Sequence, residues 1–322
     1  MPDRPTLLVT VPPERLPDDR LAAVADAAPG YDVRRGAPDD PLDGVEIVLG
    51  RVARDRLAEA AELRWVQSWS AGLDWLLEPE PPADAPAGLQ LTSASGVHAV
   101  PIAEHVFATL LALGRGLPQA LAAQREARWS RGDDVGRFEL EGRQMVLLGL
   151  GEIGARVARV AGAFGMLVTA VRHHPGEGGA PGVARVVGTG ALLDVLPSAD
   201  VLVVTVPLTD DTRGMVGAGA IAALPAHAVV VNVGRGEVVD QGALASAVAA
   251  GRLGGAALDV FAEEPLPADS PLWGLDRVIV TPHTAGMTPH YADRALAIFL
   301  GNLGRYRRGE PLRDAVDLGE GY

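Results

Sequence analysis

The run Gly149-Leu150-Gly151-Glu152-Ile153-Gly154 limits what this chain can fold into more than any other stretch. It follows an apolar, strand-like segment, Met145 to Leu148, and opens a helix-like one, Ala155 to Phe164. In that setting the first glycine allows a tight turn, and the second lets backbone N–H groups approach a pyrophosphate. The third lets the helix pack closely on the strand, and the helix N-terminus faces the anion. Glycine patterns of this kind are common by themselves. Strand, motif and helix in agreement read as a dinucleotide-binding turn, with Gly149, Gly151, Glu152, Ile153 and Gly154 beside the ligand. The run begins at residue 149, so a unit of domain size precedes it.

The segments around this turn indicate two α/β units. In the first hundred residues, Thr6 to Val11, Val45 to Leu49, Trp65 to Trp69 and Leu89 to Ser93 read as strands. Leu16 to Ala28 and Arg54 to Leu63 have helical apolar spacing. Such alternation predicts a small parallel sheet. The proline-rich piece Glu78 to Pro86 reads as a surface loop. Pro101 can open a helix that Ile102 to Leu113 continues. Past the glycine turn, Val168 to Val171, Ala184 to Val187, Val201 to Val206, Ala228 to Val233, Ala256 to Val260 and Val278 to Thr281 read as buried parallel strands. Gly242 to Ala250 reads as a helix between two of them, and a final helix spans about Pro289 to Arg307. The predicted fold is two doubly wound parallel-sheet α/β domains. Residues 1–98 and 289–322 form a flavodoxin-like unit, and residues 99–288 form a Rossmann dinucleotide-binding unit.

Composition removes several alternatives. Hydrophobic residues make up 48% of the 322 and charged residues 21%, as in a folded globular protein. The formal net charge of -13 argues against nucleic acid or an anionic membrane as a partner. It leaves small anionic substrates open, because one arginine in a pocket outweighs a distant field. There is no cysteine, so thiolate metal sites, disulfides and thiol nucleophiles are excluded. There is also no lysine, which removes Schiff-base chemistry through the protein. No apolar run reaches the length of a membrane span, and Met1-Pro-Asp-Arg-Pro lacks a signal-peptide pattern, so the expected location is cytoplasmic.

NAD-binding units usually carry an acidic residue at the end of their second strand, for the ribose 2′-OH. Here that strand runs Leu167 to Val171 and ends in Arg172-His173-His174. Arg172 lies 18 positions after Gly154. A guanidinium there would pair with a 2′-phosphate, which predicts NADP(H) as the preferred cofactor and NAD(H) as the other candidate. His173 would line the same phosphate. As chain neighbours, His173 and His174 are expected to point in different directions, which argues against a shared metal; no metal site is predicted.

Three further segments place reactive side chains just after strands. They are Asn232-Val233-Gly234-Arg235, Asp259 to Leu266 with Glu264, and Thr281-Pro282-His283-Thr284-Ala285-Gly286. Ligands of open α/β sheets bind beyond the carboxyl ends of strands, so Arg235, Glu264 and His283 can converge beside the dinucleotide. Their types suit reduction of a keto acid. Arginine holds a carboxylate bidentately, histidine carries a proton near neutral pH, and a carboxylate beside the histidine orients its ring.

With those segments the chain resembles the D-isomer-specific 2-hydroxyacid dehydrogenases. Also matching are Val206-Pro-Leu-Thr209 with Thr212-Arg-Gly-Met215, Asn232 to Asp240, Leu258 to Leu266, and Ser270-Pro-Leu-Trp273 to Gly286. The resemblance spans at least residues 90 to 290 and is looser before that. It implies His283 as general acid/base, Glu264 as its partner, and Arg235 as the substrate-binding group. It also implies Asp259 at the nicotinamide carboxamide, with Pro207, Thr212, Val233, Gly234, Ala285 and Gly286 lining the cofactor. Trp69-Ser70-Ala71-Gly72-Leu73-Asp74 resembles the family's substrate loop, so Ala71 and Gly72 would present N–H groups to the substrate carboxylate. Trp75 stands where many relatives have a histidine. Glu104-His105 resembles a family segment in which His105 is structural, and His98 is placed in the hinge; His227 and His290 are assigned nothing.

The reaction so implied is NADPH-dependent reduction of a small 2-keto acid, glyoxylate or hydroxypyruvate, to the D-2-hydroxy acid. A bulkier keto acid such as phenylpyruvate stays open. Formate as substrate is disfavoured, because relatives of that kind carry Gln where Glu264 stands. A 3-phosphoglycerate dehydrogenase is disfavoured by the absence of a regulatory domain after residue 310. The resemblance also implies a homodimer formed through Val100 to Arg137. The competing class is a non-catalytic dinucleotide sensor of the same fold that binds a protein partner.

Overall fold

A computed structural model describes residues 4–77, 82, 85–131, 136–176 and 179–316. It divides into two compact units, Met1–His98 with Thr288–Tyr322, and Ala99–Met287. Most of the proline-rich piece Glu78 to Pro86 lies outside the described residues.

The first unit runs β1 (Thr6–Val9), α1 (Asp18–Ala27), β2 (Asp32–Arg35), β3 (Val45–Leu49), a 3-10 helix (Arg54–Glu59), β4 (Trp65–Gln67), α2 (Asp74–Leu77) and β5 (Gln90–Thr92). Its five strands lie in the order β2-β1-β3-β4-β5, every pair parallel. Side chains alternate between the faces. Leu7, Val9, Ile47, Leu49 and Trp65 pack on one side with Phe299 and Leu303 of the last helix. Leu8, Val48, Val66 and Leu91 pack on the other. Trp65 is stacked on both Phe299 and Tyr306, with ring centroids 5.3 and 5.4 Å away.

The short helix α2 was not predicted, and two further details of this unit differ from the sequence reading. The predicted helix Arg54 to Leu63 is a 3-10 helix ending at Glu59. Its buried residues Leu57, Ala60 and Leu63 recur every third position, the repeat of a 3-10 turn and the following bend. Strand β2 has no counterpart in the prediction, since Asp-Val-Arg-Arg looks like surface; it is the outer strand of the sheet, where charge is tolerated.

The second unit runs α3 (Ala99–Arg115), α4 (Leu117–Arg125), β6 (Gln144–Leu148), α5 (Glu152–Ala163), β7 (Leu167–Arg172), β8 (Val183–Gly188), α6 (Leu192–Val195), β9 (Val201–Val204), α7 (Ala218–Ala223), β10 (Val229–Asn232), α8 (Gln241–Ala249), β11 (Gly255–Leu258) and β12 (Val278–Val280). The final helix, α9 (Tyr291–Arg307), belongs to the first unit. Helix α4 was not predicted. It follows α3 at 70° because Gly116, at φ +67, takes the left-handed conformation and ends α3. Among the described residues no single helix is long and apolar enough to cross a membrane.

The seven strands are parallel, in the order β12-β11-β10-β9-β6-β7-β8. Chain order reverses at β6, which lies between β7 and β9, and such a switch point opens a crevice at the carboxyl edge. Val146, Leu148, Leu202, Val204 and Val230 face α6, α7 and α8. Met145, Leu147, Val201, Val203 and Val231 face α3 and α5. The register is level across the sheet. Leu148, Val204, Asn232, Leu258 and Val280 are successive partners, so the residues after them form one row along the carboxyl edge.

Candidate functional site

Gly149 begins that row. It takes φ +102, and a Cβ there would lie 2.8 Å from Thr205 Oγ1, so the tight turn needs glycine. Thr205 closes the turn by donating its hydroxyl to the carbonyls of Leu148 (3.0 Å) and Gly149 (3.2 Å). A Cβ on Gly154 would meet the Gly149 carbonyl oxygen at 2.2 Å, so the helix approaches the strand as closely as glycine permits. At Gly151 a Cβ would meet nothing within 4 Å among the described residues. No described side chain caps the N-terminus of α5, and the Glu152 side chain is exposed. An open glycine at an uncapped helix N-terminus fits a bound pyrophosphate.

Arg172 is the last residue of β7 and half-buried. His173 and His174 follow it, exposed, and here the expectation of divergent side chains fails. Their rings meet edge to face with centroids 4.4 Å apart, and His173 Nδ1 lies 3.1 Å from His174 Nε2. Both residues are beyond the end of the strand, where side chains no longer alternate between faces. Among the described residues no group of three or more His, Asp or Glu is placed to hold a metal ion.

After β9, the Thr212 hydroxyl donates to the Pro207 carbonyl (2.7 Å) and accepts from the Thr209 N–H (2.8 Å), folding residues 207–212 into a closed loop. At the end of β10, Asn232 is fully buried and clamps the next turn. Its Oδ1 accepts from the Gly234 N–H at 3.1 Å, and its Nδ2 donates to the Arg235 carbonyl at 3.0 Å. The exposed Arg235 guanidinium donates to the Gly234 carbonyl at 2.8 Å. A Cβ on Gly234 would lie 2.6 Å from the Val206 carbonyl oxygen, and one on Gly236 would lie 1.9 Å from the Phe261 carbonyl carbon. Arg235 therefore sits between two glycines that seat its turn against the loops after β9 and β11.

Asp259 and Thr281 follow the paired residues Leu258 and Val280, so they lie side by side. Asp259 is 2% exposed. Its Oδ1 accepts from Thr281 Oγ1 (2.5 Å) and the Thr284 N–H (2.9 Å), and its Oδ2 from the Ala285 N–H (2.9 Å). Its backbone carbonyl takes the His283 N–H at 2.8 Å. His283 itself has φ +53, the left-handed region that costs a non-glycine residue about 1–3 kcal/mol. Such a conformation persists only where its surroundings over-determine it.

The His283 ring meets Glu264, with Nδ1 2.8 Å from Oε2. Glu264 Oε1 accepts from the Phe261 N–H at 2.9 Å. Burial works against the ionised form of Glu264, but the hydrogen bonds from His283 and Phe261 outweigh it and hold the carboxyl below its ordinary range. An ionised carboxylate only accepts, so His283 carries its proton on Nδ1, and Nε2 is the nitrogen left to exchange a proton with a ligand.

The sequence reading gave Asn232 and Gly236 no role of their own and took His105 as structural. Asn232 and Gly236 hold the Arg235 turn, and His105, on α3, places Nε2 3.2 Å from Thr281 Oγ1. The partners of Gly236 and His105 are distant along the chain, whereas Asn232 holds Gly234 and Arg235 two and three positions on, and for Gly236 the only local sign is the glycine itself. His227, assigned nothing, pairs with Asp200 at 2.7 Å on the opposite edge of the sheet.

In the first unit, the loop after β4 is tied by serines. Ser70 Oγ donates to the Gly72 carbonyl (2.8 Å), the Ser70 N–H donates to Ser68 Oγ (3.1 Å), and Trp75 Nε1 donates to Ser68 Oγ (3.4 Å). Ala71 is exposed at its tip and Gly72 half-buried. The Arg51 guanidinium lies over the Trp75 ring, 5.7 Å from its centroid. His98 ends the first segment of this unit, its ring 5.3 Å from that of Tyr291.

Residues 107–285 match the family described as D-isomer specific 2-hydroxyacid dehydrogenase, NAD binding domain. The chain is 35% identical over 232 residues to a D-3-phosphoglycerate dehydrogenase of Archaeoglobus fulgidus, covering 72% of this chain and 43% of the relative. It spans about half the length of the phosphoglycerate dehydrogenases it matches. It is 32% identical to a glyoxylate reductase of Aeropyrum pernix, over 82% of this chain and 79% of the relative. Among solved structures, a D-isomer specific 2-hydroxyacid dehydrogenase from Xanthobacter autotrophicus Py2, in complex with NADPH and MES, superposes with a TM-score of 0.81 at 31% identity. That likeness covers 99% of this chain and all of the other. The parallel seven-stranded sheet, the glycine turn at its switch point and these matches agree: the chain belongs to the D-isomer specific 2-hydroxyacid dehydrogenase family.

Proposed function

We propose that this chain is a reductase that converts a small 2-keto acid, glyoxylate or hydroxypyruvate, to the D-2-hydroxy acid with NADPH. The observation that carries the reading is the 2.8 Å pairing of His283 Nδ1 with Glu264 Oε2, which leaves Nε2 to act on a substrate oxygen. When bound, the reduced nicotinamide supplies the hydride. His283 Nε2 gives its proton to the carbonyl oxygen as that oxygen becomes a hydroxyl, and Glu264 stabilises the ring while it is charged. Arg235 holds the substrate carboxylate, aided by the Ala71 and Gly72 N–H groups. In this reading residues 1–98 and 289–322 bind substrate and residues 99–288 bind the dinucleotide. Gly149, Gly151, Glu152, Ile153 and Gly154 surround the pyrophosphate; Pro207, Thr212, Val233, Gly234, Ala285 and Gly286 line the rest of the cofactor, and Asp259 approaches the carboxamide. Arg172 and His173 meet the 2′-phosphate. NADPH in the Xanthobacter relative and the named activity of the Aeropyrum relative support the choice of cofactor and substrate.

The test is a panel of 2-keto acids, including 3-phosphohydroxypyruvate because of the phosphoglycerate dehydrogenase relatives, assayed with NADPH and NADH. Turnover of glyoxylate or hydroxypyruvate with NADPH is expected. His283→Ala should lower kcat by about 10²–10⁴-fold while NADPH still binds. Wild-type turnover in that variant would remove His283 from the mechanism. Cofactor binding without turnover of any keto acid would favour the sensor instead.

A further inference from the structure

We infer that His105 is a positioning residue for His283, acting through the Thr281 hydroxyl and the Asp259 carboxylate. The inference rests on the proposed role of His283 as proton donor. The left-handed backbone of His283 requires an external hold, and Asp259 supplies it through four hydrogen bonds, three to its carboxylate and one to its carbonyl. The three to the carboxylate work only if that group is itself fixed in rotation. Thr281 Oγ1, 2.5 Å from Asp259 Oδ1, fixes it, because its single hydroxyl proton is committed to that oxygen.

This commitment decides the next link. The Thr281 hydroxyl has no proton left for His105 Nε2 at 3.2 Å, so it accepts there and His105 donates. The direction along the chain is therefore His105 to Thr281 to Asp259, with the loop N–H groups converging on the same carboxylate from the other side. His105 is well placed to anchor such a chain. It stands on α3, a core helix of 17 residues whose neighbouring Ala103, Val106 and Phe107 are buried in the cluster that also contains Ala285. Helix and histidine loop thus share one apolar cluster, and His105 links them at Thr281. Losing the polar grip would let Asp259 rotate, release the Thr284 and Ala285 N–H groups, and allow His283 to relax from φ +53. Its ring would then leave Glu264.

Thr281→Val removes the hydroxyl at constant shape, and Thr281→Ser restores it. His105→Leu removes the first donor, and His105→Gln keeps an N–H of similar reach. The readouts are the ¹⁵N shifts of His283 in histidine-labelled protein, identified by their loss in His283→Gln, together with kcat, the Kd for NADPH and the Tm. We expect Thr281→Val to move His283 from the Nδ1-protonated tautomer towards the Nε2-protonated one. Its kcat should fall at least about tenfold, a larger change than that in the Kd for NADPH. Thr281→Ser should recover both, and His105→Leu should follow Thr281→Val while His105→Gln does not. Folded Thr281→Val or His105→Leu with an unchanged His283 tautomer and unchanged kcat would overturn the inference. So would a loss of kcat that merely tracks a loss of folded protein. If wild type turns over no keto acid, the proposed function fails, while the tautomer shift still decides the positioning chain.

Discussion

His283 and Glu264 show how much chemistry a single pair can define. Glu264 is held below the ordinary carboxyl range by its two donors, so it stays an acceptor throughout the neutral pH range and keeps the His283 proton on Nδ1. Both residues were legible in the sequence from their types and their places after strands. The left-handed backbone of His283 was not, because nothing in Thr-Pro-His-Thr requires it; Asp259, 24 positions earlier, imposes it. Arg172 belongs to the same scale. Its place at the end of β7, where NAD-binding units usually carry an acid, predicts that Arg172→Ala raises the KM for NADPH by about 10–100-fold, the loss of charge-assisted hydrogen bonds to a phosphate. The KM for NADH should change little. Equal changes for both cofactors in steady-state assays would show that Arg172 does not read the 2′-phosphate.

At the scale of elements, the level register of β6, β9, β10, β11 and β12 does most to assemble the site. The strands were readable from β-branched apolar runs, and their parallel pairing followed from alternation with helices. Their relative register was not, since period-two patterns identify faces but not offsets between strands. The opposite edge of the same sheet holds a network that the sequence did not reveal. Asp200 accepts from Arg143 and from the Gln144 N–H, each at 2.7 Å, and pairs with His227. Burial works against its charge, but these donors outweigh it and lower its carboxyl pKa. A carboxyl lowered on folding stabilises the protein above its unfolded value, and that contribution disappears as pH falls through the folded one. Asp200→Asn should therefore lower the Tm by about 3–6 °C at pH 7, and the gap should narrow below about pH 4. A gap independent of pH in calorimetry would mean that the charge contributes nothing.

At the scale of the whole molecule, we propose a homodimer through Val100 to Arg137, in keeping with the family resemblance. Part of that segment lies outside the described residues. Within it, Leu117 (47% exposed), Leu121 (53%) and Trp129 (92%) leave large apolar side chains in water, which a second copy would cover. Leu121→Glu is expected to shift the protein from twice the mass of one chain to a single chain in light scattering. An unchanged mass would place any interface elsewhere.

The sequence by itself determined the α/β class and the dinucleotide turn, and it was enough to single out Arg235, Glu264 and His283 as the set now proposed. Those features rest on local chemistry: glycine where a backbone must turn or approach closely, apolar periodicity for strands and helices, and reactive side chains just past strand ends. Only the tertiary structure decided how these residues are held. Asn232 clamps the Arg235 turn, Gly236 packs against the Phe261 backbone, and Asp259 and Thr281 become neighbours through the pairing of β11 with β12. The hydrogen bonds that fix His283 join residues 19 to 176 positions apart in the chain. Pairings at that separation depend on strand register and helix packing, so no local pattern of residues encodes them.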